Sequence, residues 1–304
     1  MAACSNAPTL PPADQPLPKE TMSLLGKKGM DASAPVFVRI FKEESELEIW
    51  KARDDGRFYH LKTYPICNWS GGLGPKIQQG DKQAPEGFYT VTKGLLNPNS
   101  QFHVAFNLGY PNAYDRSLGR TGDFVMVHGK CKSAGCYAMT DALMEEIYAL
   151  VREAIKGGQD QVQVHAFPFR PTEAKLAQHK SNKWHGFWQI LKQGYDHFEA
   201  TRVPPNVATC ERKYIVNVKM PATPVAADGF CPQFERPAVT PFIPADTKQQ
   251  QIADERITVR GPKMRDVAAA PGGTMSTSLG AGSATAAPAL AATPTAPAAQ
   301  FGNS

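Results

Sequence analysis

Residues 127–140 read VHGKCKSAGCYAMT. This stretch predicts a strand that delivers His128, a loop of small residues, and Cys136 just before a helix. Cysteine reacts as the thiolate, and its ordinary pKa leaves little thiolate at neutral pH. A nearby imidazole can take the proton, and the positive end of a helix can favour the anion. The stretch therefore predicts a cysteine nucleophile, Cys136, that His128 activates.

The residues alone leave other interpretations of this loop open. A cysteine in a glycine-rich turn can be a small buried residue rather than a nucleophile. Cys131 can pair with Cys136 as an oxidative lock or can simply pack, and packing is the expectation. His128, Cys131 and Cys136 can also be zinc ligands, but a fourth ligand with metal-site spacing is missing. We therefore expect no metal.

Outward from the loop, alternating apolar residues predict strands on both sides of it, and two helices interrupt them. One helix begins at Thr140 or Asp141 and ends at Gly157-Gly158, and a second covers part of 172–193. The predicted strands are 36–41, 47–50, 59–64, 88–91, 102–106, 124–127, 162–165 and 214–218. The pattern predicts one mainly-β domain with added helices over residues 33–220.

The two flanking segments look different from this domain. Residues 1–32 contain Pro, Lys and Gly without periodicity and are predicted to be a tether. Residues 221–304 are predicted to be a low-complexity, disordered tail, because 266–304 are dominated by Ala, Pro, Gly, Thr and Ser. The start, MAACSN, resembles the cleavage region of a bacterial lipoprotein whose export signal is missing, which makes Cys4 a candidate lipid anchor.

Composition excludes some functions. The net charge of +5 is spread out, without the Lys/Arg block of a nucleic-acid-binding protein. The sequence has no run apolar enough to span a bilayer. The six cysteines are irregularly spaced, which favours individual cysteines with individual roles over a disulfide framework.

The motif His128-Gly129 followed by Ser133-x-Gly135-Cys136 resembles the signature of the L,D-transpeptidase family, also called the YkuD domain. Further stretches resemble its YafK-like branch, in the right order over roughly 33–220. These are ICNWSGGLGPK at 66–76, QGD at 79–81, PEGFY at 85–89, LNP at 96–98, GYPNAYDR at 109–116 and GCYAMTD at 135–141.

The resemblance implies a β-sandwich-like catalytic domain with the cysteine loop at its rim. Family members attack the peptidoglycan stem peptide next to diaminopimelate and form a thioester, which an amine or water resolves, without a cofactor. Carried over, Cys136 is the nucleophile, His128 is the general base, and Ser133 and Gly135 shape the loop. N–H groups from Gly135 to Tyr137 form the oxyanion hole.

The stretch at 109–116 is too polar and aromatic to be only a turn. We expect it to contribute to the substrate wall of the cleft. The substrate-binding candidates are Tyr137, Gly129, Tyr114, Arg116 and Asn112.

One position departs from the family pattern. Most members have Arg two residues after the cysteine, where this chain has Ala138. Arg116 or Arg120 are candidates to supply the missing charge. The YafK-like branch shares the Ala and includes enzymes that hydrolyse the link between diaminopimelate and an attached lipoprotein.

Three functions follow as hypotheses. The favoured one is a periplasmic hydrolase that cuts amides at diaminopimelate, including links to lipoprotein. The second is an L,D-transpeptidase that makes such links. The third is a non-catalytic wall-binding protein, against which the His128 and Cys136 pair argues.

Overall fold

The computed structural model describes residues 10–263. The strands are β1 (Val36–Phe41), β2 (Glu46–Ala52), β3 (Phe58–Pro65), β4 (Asn68–Trp69), β5 (Gly87–Val91), β6 (Leu96–Asn97), β7 (Ala105–Asn107), β8 (Met126–His128), β9 (Tyr137–Ala138), β10 (Val162–Phe167), β11 (Val207–Cys210) and β12 (Lys213–Val216). The helices are α1 (Lys19–Lys28), α2 (Ala113–Ser117), α3 (Asp141–Lys156), α4 (Glu173–Gln178), α5 (His185–Thr201) and α6 (Lys248–Asp254). Short 3₁₀ turns occur at Pro12–Asp14 and Lys93–Leu95.

The first sheet has five strands in the order β3-β2-β1-β10-β5, with only the β1–β10 pair parallel. Both of its faces are covered. Val38 and Ile40 lie in the main core with the apolar side of α3, whereas Phe37 faces α5, where its ring lies 4.7 Å from that of Phe198. Alternation along β1 therefore places apolar side chains on two separate cores, as expected for a strand between helices.

The second sheet carries the candidate site. Its order is β4-β9-β8-β7-β6, and β8 and β9 run parallel. Helix α3 follows β9 and packs between the two sheets, with Ile147, Leu150 and Val151 in the main core. The prediction of a sheet-rich domain with added helices is confirmed, although neither sheet closes into a barrel.

The segment predicted as a tether is partly structured. Helix α1 lies within it, and Leu25 and Met30 are buried in the main core. A free tether from 1 to 32 is therefore wrong for this part. Helix α1 buries only a few side chains, so the sequence shows no helical periodicity there. Its position therefore depends on tertiary contacts.

The segment after residue 220 is also partly structured. Helix α6 buries Ala253, and Thr258 forms a β-bridge with Thr63. The Lys28 ammonium donates to main-chain oxygens of His60, Ala253 and Glu255, which fastens α1 and α6 to β3. The predicted boundary at 220 is therefore wrong, and the low-complexity residues 266–304 lie outside the described residues, as does Cys4.

Two local predictions differ from the structure. The strand predicted over 102–106 begins only at Ala105, because the backbone at His103 has a φ of 75°. The helix predicted within 172–193 is two helices, α4 and α5. Among residues 10–263, no helix has the length and hydropathy needed to cross a membrane.

Candidate active site

The parallel pair β8–β9 brings the two central residues to one place. His128 is the last residue of β8, and Cys136 immediately precedes β9. His128 is in register with Ala138. The chain leaves β8, passes through the 129–136 loop and returns beside the same strand, so Cys136 lies next to Met126, the first residue of β8, and His128 ends that strand.

The His128 ring is held in one tautomer. It is buried, and its Nδ1 lies 2.7 Å from the main-chain oxygen of Gly129. Only a protonated Nδ1 can donate to this oxygen, so Nε2 is left as the proton acceptor. Burial lowers the pKa of His128, and the Gly129 hydrogen bond opposes that shift. The imidazole is therefore neutral near pH 7 and able to act as a base.

The Cys136 thiol is half-buried and protonated at rest. Its Sγ accepts from the N–H of Met126 at 3.5 Å and donates to the oxygen of Phe124 at 3.7 Å. Burial raises the pKa of the thiol, while the Met126 hydrogen bond and the charge of Lys76 oppose the rise. In this state the thiol is hydrogen-bonded to Phe124 and not to His128, and catalytic contacts often form only in the substrate complex.

Helix α3 begins where the sequence predicted, with Thr140 as its N-cap, but this start is separated from Cys136 by β9. Strand β9 follows Cys136, and α3 starts at Asp141. Because the effect of a helix terminus fades within its first turn, α3 does not supply the positive field at the thiol. Its first residue has another role, since Asp141 Oδ1 accepts from the N–H of Lys130 at 2.7 Å and ties down the loop.

Ser133 organises the turn that ends at Cys136. Its Oγ donates to the oxygen of Cys136 at 2.7 Å. It accepts from the N–H groups of Cys136 at 3.2 Å and Gly135 at 3.4 Å. Two of the amides expected to form an oxyanion hole therefore point at the Ser133 hydroxyl in this state. Gly135 has a φ of 118°, a conformation that side chains rarely adopt.

A disulfide joins the loop to Cys67, the residue before β4. This bond was not expected from the sequence. Cys131 is bonded to Cys67, and Cys210 to Cys231, so four cysteines are paired and Cys136 is the free one within residues 10–263. Cys131 therefore neither packs as a free thiol nor pairs with Cys136. It also cannot serve as a zinc ligand. The two cysteines are 64 residues apart in the sequence, so no local pattern indicates that they pair.

The side chains proposed to form the substrate wall are mostly engaged in contacts with other residues of the protein. The Tyr114 ring is stacked 4.1 Å from that of Tyr214, and the Asn112 amide donates to the Tyr214 hydroxyl at 2.7 Å. Tyr137 is buried with its hydroxyl on the oxygen of Pro85, whereas Arg116 is exposed and donates to that of Pro111.

Gly129 also has a packing reason, because a Cβ there would lie 2.6 Å from Asp141 Oδ1. The side-chain partners of Tyr114, Asn112 and Arg116 are all outside the 127–140 stretch. The structure therefore brings His128, Ser133, Gly135 and Cys136 together, and gives Tyr114 and Asn112 contacts elsewhere.

Arg116 and Arg120 were the candidates to replace the missing arginine. Both already have partners, because Arg116 donates to the oxygen of Pro111. Arg120 is buried and forms an ion pair of 2.8 Å with Asp115, with its guanidinium 5.1 Å from the Tyr114 ring centre. Ala138 itself is buried in β9 between β4 and β8.

Two aromatic residues that sequence reasoning did not single out flank the pair. The ring of Phe102, which is 43% exposed, lies 4.7 Å from that of His128. Phe124 is 68% exposed with a φ of 51°, and its oxygen receives the thiol hydrogen bond. A large side chain in this left-handed conformation is uncommon and costs free energy. Phe102 and Phe124 lie in stretches whose sequence looks like that of ordinary strands, so nothing in the sequence indicates that they lie at the site.

Known proteins resemble this chain in sequence. A family model for the YkuD L,D-transpeptidase catalytic domain matches residues 38–164. YafK of Escherichia coli K12, a provisionally assigned L,D-transpeptidase, is 46% identical over 184 residues, which are 60% of this chain and 74% of YafK. Its counterpart in Escherichia coli O157:H7 gives the same values.

Solved structures are more distant. The helical cell shape determining protein Pgp2 from Campylobacter jejuni, solved as a point variant, is 19% identical with a TM-score of 0.38. The similarity covers 60% of this chain and 66% of Pgp2. Bd1075 of Bdellovibrio bacteriovorus is 17% identical with a TM-score of 0.32, over 56% of this chain and 60% of Bd1075. Identity to YafK carries the assignment: this chain belongs to the YkuD family of L,D-transpeptidase catalytic domains.

Proposed function

We propose that this protein is a peptidoglycan hydrolase that cuts amide bonds at diaminopimelate through a thioester on Cys136, and so releases wall-linked lipoprotein. The observation that supports it most is the neutral His128, held by Gly129 with Nε2 unprotonated, on the same strand β8 whose first residue, Met126, contacts the Cys136 thiol. This arrangement supplies a base beside a thiol, which acyl transfer requires. A non-catalytic wall-binding protein has no need of it.

The chemistry can be written with this chain's own residues. The thiol proton passes from Cys136 Sγ to His128 Nε2, and the sulfur attacks the amide carbon. His128 then returns the proton to the leaving amine as the C–N bond breaks, leaving a thioester. Water, deprotonated by His128, attacks the thioester, and the thiol and a free carboxylate are regenerated.

The second step separates hydrolase from transpeptidase. A transpeptidase must hold an amine near the thioester and exclude water, whereas a hydrolase needs an open, wet acceptor side. Ala138 places no long cation beside the nucleophile, and its side chain is buried. This residue favours water as the acceptor. The alternative is an L,D-transpeptidase that forms cross-links or protein attachments.

Treatment of purified sacculi tests the choice. Sacculi that carry covalently bound lipoprotein should lose it, and mass spectrometry should find stem peptides ending in free diaminopimelate. Cys136→Ala protein is the matched control. New diaminopimelate–diaminopimelate cross-links with constant bound lipoprotein would instead establish the transpeptidase.

The proposed location is the periplasmic side of the cell envelope, where the substrate is. The disulfides Cys67–Cys131 and Cys210–Cys231 support it, because such bonds persist in oxidising compartments. Cys4, outside the described residues, remains the proposed lipid anchor. Fractionation of cells tests the location, and native protein found only in the cytosol contradicts it. Metabolic labelling with a palmitate analogue tests the anchor, with Cys4→Ser as the control.

A further inference from the structure

A thiolate at Cys136 needs a nearby positive charge, and the expected sources are not in place. Helix α3 begins too late, Ala138 is not a cation, and Arg120 is paired with Asp115. Deprotonating a thiol in a half-buried site costs free energy, because burial disfavours the charged form unless a positive charge is near. Any cation beyond the imidazolium that His128 becomes on proton transfer has to come from another part of the chain.

Lys76 is a cation held inside this region. Its side chain is only 6% exposed, and its ammonium donates to the oxygen of Gln78 at 2.9 Å and to Asp81 Oδ1 at 2.5 Å. Asp81 in turn accepts from the N–H groups of Ile77, Gln78 and Gln83, which fixes the turn. The Lys76 ammonium is therefore held in place by the 76–83 turn.

One short segment connects Lys76 to the nucleophile. A Cβ on Gly122 would lie 2.9 Å from Lys76 Cε, so the bare backbone of Gly122 rests on the lysine stem. Two residues later, the oxygen of Phe124 receives the Cys136 thiol. On the other side, the Lys76 ammonium lies 5.9 Å from the Tyr110 ring centre, and the Tyr110 hydroxyl donates to the oxygen of Lys76. The segment from Gly122 to Phe124 thus touches both the lysine stem and the thiol.

We propose that Lys76 is a positioning residue that supplies the positive charge stabilising the Cys136 thiolate, in place of the arginine that Ala138 replaces. The ammonium carries three hydrogens, and its contacts within residues 10–263 use two of them. No hydrogen bond within these residues uses the third.

The electrostatics agree with this geometry. The charge of Lys76 lowers the pKa of the Cys136 thiol against the effect of burial. Burial still dominates, which explains why the thiol is protonated at rest.

Lys76 acts in the first step of the proposed reaction. The proton moves from Cys136 Sγ to His128 Nε2, which creates S⁻ beside an imidazolium. Lys76 stabilises the S⁻ without exchanging a proton. The inference deepens the proposed function by adding a residue to its site, and it can be tested without peptidoglycan.

The test is the pH dependence of iodoacetamide alkylation, followed by mass spectrometry on the Cys136 peptide of the full-length protein. Lys76→Met should move the alkylation midpoint upward by about one pH unit, which is about tenfold less thiolate at a given pH below the midpoint. Lys76→Arg should restore the midpoint to within about 0.3 unit, because the charge is kept.

Lys62→Met is a matched control. Lys62 also forms a largely buried ion pair, 2.6 Å from Glu146, and it does not act on the Cys136 thiol. Its loss should leave the midpoint unchanged. If Lys76→Met does not fold, as judged by thermal melting, Lys76→Gln keeps a donor for Asp81 and removes the charge, and the same upward shift is expected.

A folded, neutral variant at Lys76 with an unchanged midpoint would overturn the inference, even if its turnover on sacculi fell. A shifted midpoint that Arg restores would support it, whether or not the wild-type protein releases lipoprotein. The experiment can therefore refute the role of Lys76 without refuting the proposed substrate, and the reverse.

Discussion

The Cys136 thiol donates to the main-chain oxygen of Phe124 over 3.7 Å, although the neighbouring strand β8 ends in His128, whose Nε2 is unprotonated. The resting state therefore keeps the thiol protonated and partly covered. Burial raises the pKa of Cys136 and lowers that of His128, so neither residue is charged near neutral pH. We expect substrate binding to turn the thiol from Phe124 towards His128.

The first prediction concerns the nucleophile. Cys136→Ala should abolish all release of material from sacculi, because no other described cysteine is a free thiol. The protein should still fold, since the thiol makes only two weak hydrogen bonds. Product analysis by mass spectrometry checks this, and near-normal turnover by the variant would refute the proposed mechanism.

The second prediction concerns the base. His128→Ala should slow acylation by about 10²–10⁴-fold, the range for loss of a positioned general base. It should also reduce iodoacetamide labelling of Cys136 near pH 7. His179→Ala is the control, because that imidazole lies in a separate aromatic cluster with Phe169 and Trp188. Equal labelling of the His128 variant and the wild type would mean that another group sets the ionisation of the thiol.

The third prediction concerns the disulfide that holds the catalytic loop. Cys67→Ala should destabilise the protein by about 2–4 kcal/mol, as a lost disulfide does. It should also lower turnover, because Cys131 lies between His128 and Cys136 and would lose its anchor on β4. The irregular spacing of the cysteines favoured individual roles over disulfides, and the structure reverses that expectation for Cys67.

Cys210→Ala is the matched control for this effect. It removes the other disulfide, which spans 21 residues near β11 and β12, away from the 129–136 loop. Stability measured by urea unfolding should fall for both variants, whereas turnover should fall clearly only for Cys67→Ala. A similar loss of turnover in both would mean that the effect is general destabilisation.

The fourth prediction concerns acid sensitivity. Burial lowers the pKa of His60 and of His165 to about 3, so both stay neutral when folded. Their contribution to stability is full above the unfolded value near 6.5 and is lost as the pH falls through about 3. The free energy of unfolding should therefore decline steadily between these values, by about 1.4 kcal/mol per pH unit for each residue.

Urea unfolding at several pH values measures the slope. In His165→Gln, which cannot titrate there, the slope should be shallower by roughly the contribution of one histidine. The ring of His165 packs against those of Phe37 and Phe88, so the variant will also lose stability at every pH, and only the slope is informative. An unchanged slope would mean that His165 already titrates normally.

Several features were determined by the sequence itself. The alternation along Val36–Phe41 and the apolar side of Asp141–Lys156 predicted β1 and α3, because neighbouring residues alone create a face that must be buried. The order of residues in VHGKCKSAGCYAMT was enough to propose His128 and Cys136, since the loop that connects them is short.

Only the tertiary structure decided the rest. The Cys67–Cys131 bond, the position of Lys76 behind Gly122, and the docking of α1 and α6 through Lys28 all join residues far apart in the chain. Such contacts leave no periodic pattern, because their partners meet only after the sheets and α3 have packed together. Local sequence therefore determined which residues could carry the chemistry, and long-range packing decided which charges, walls and cross-links surround them.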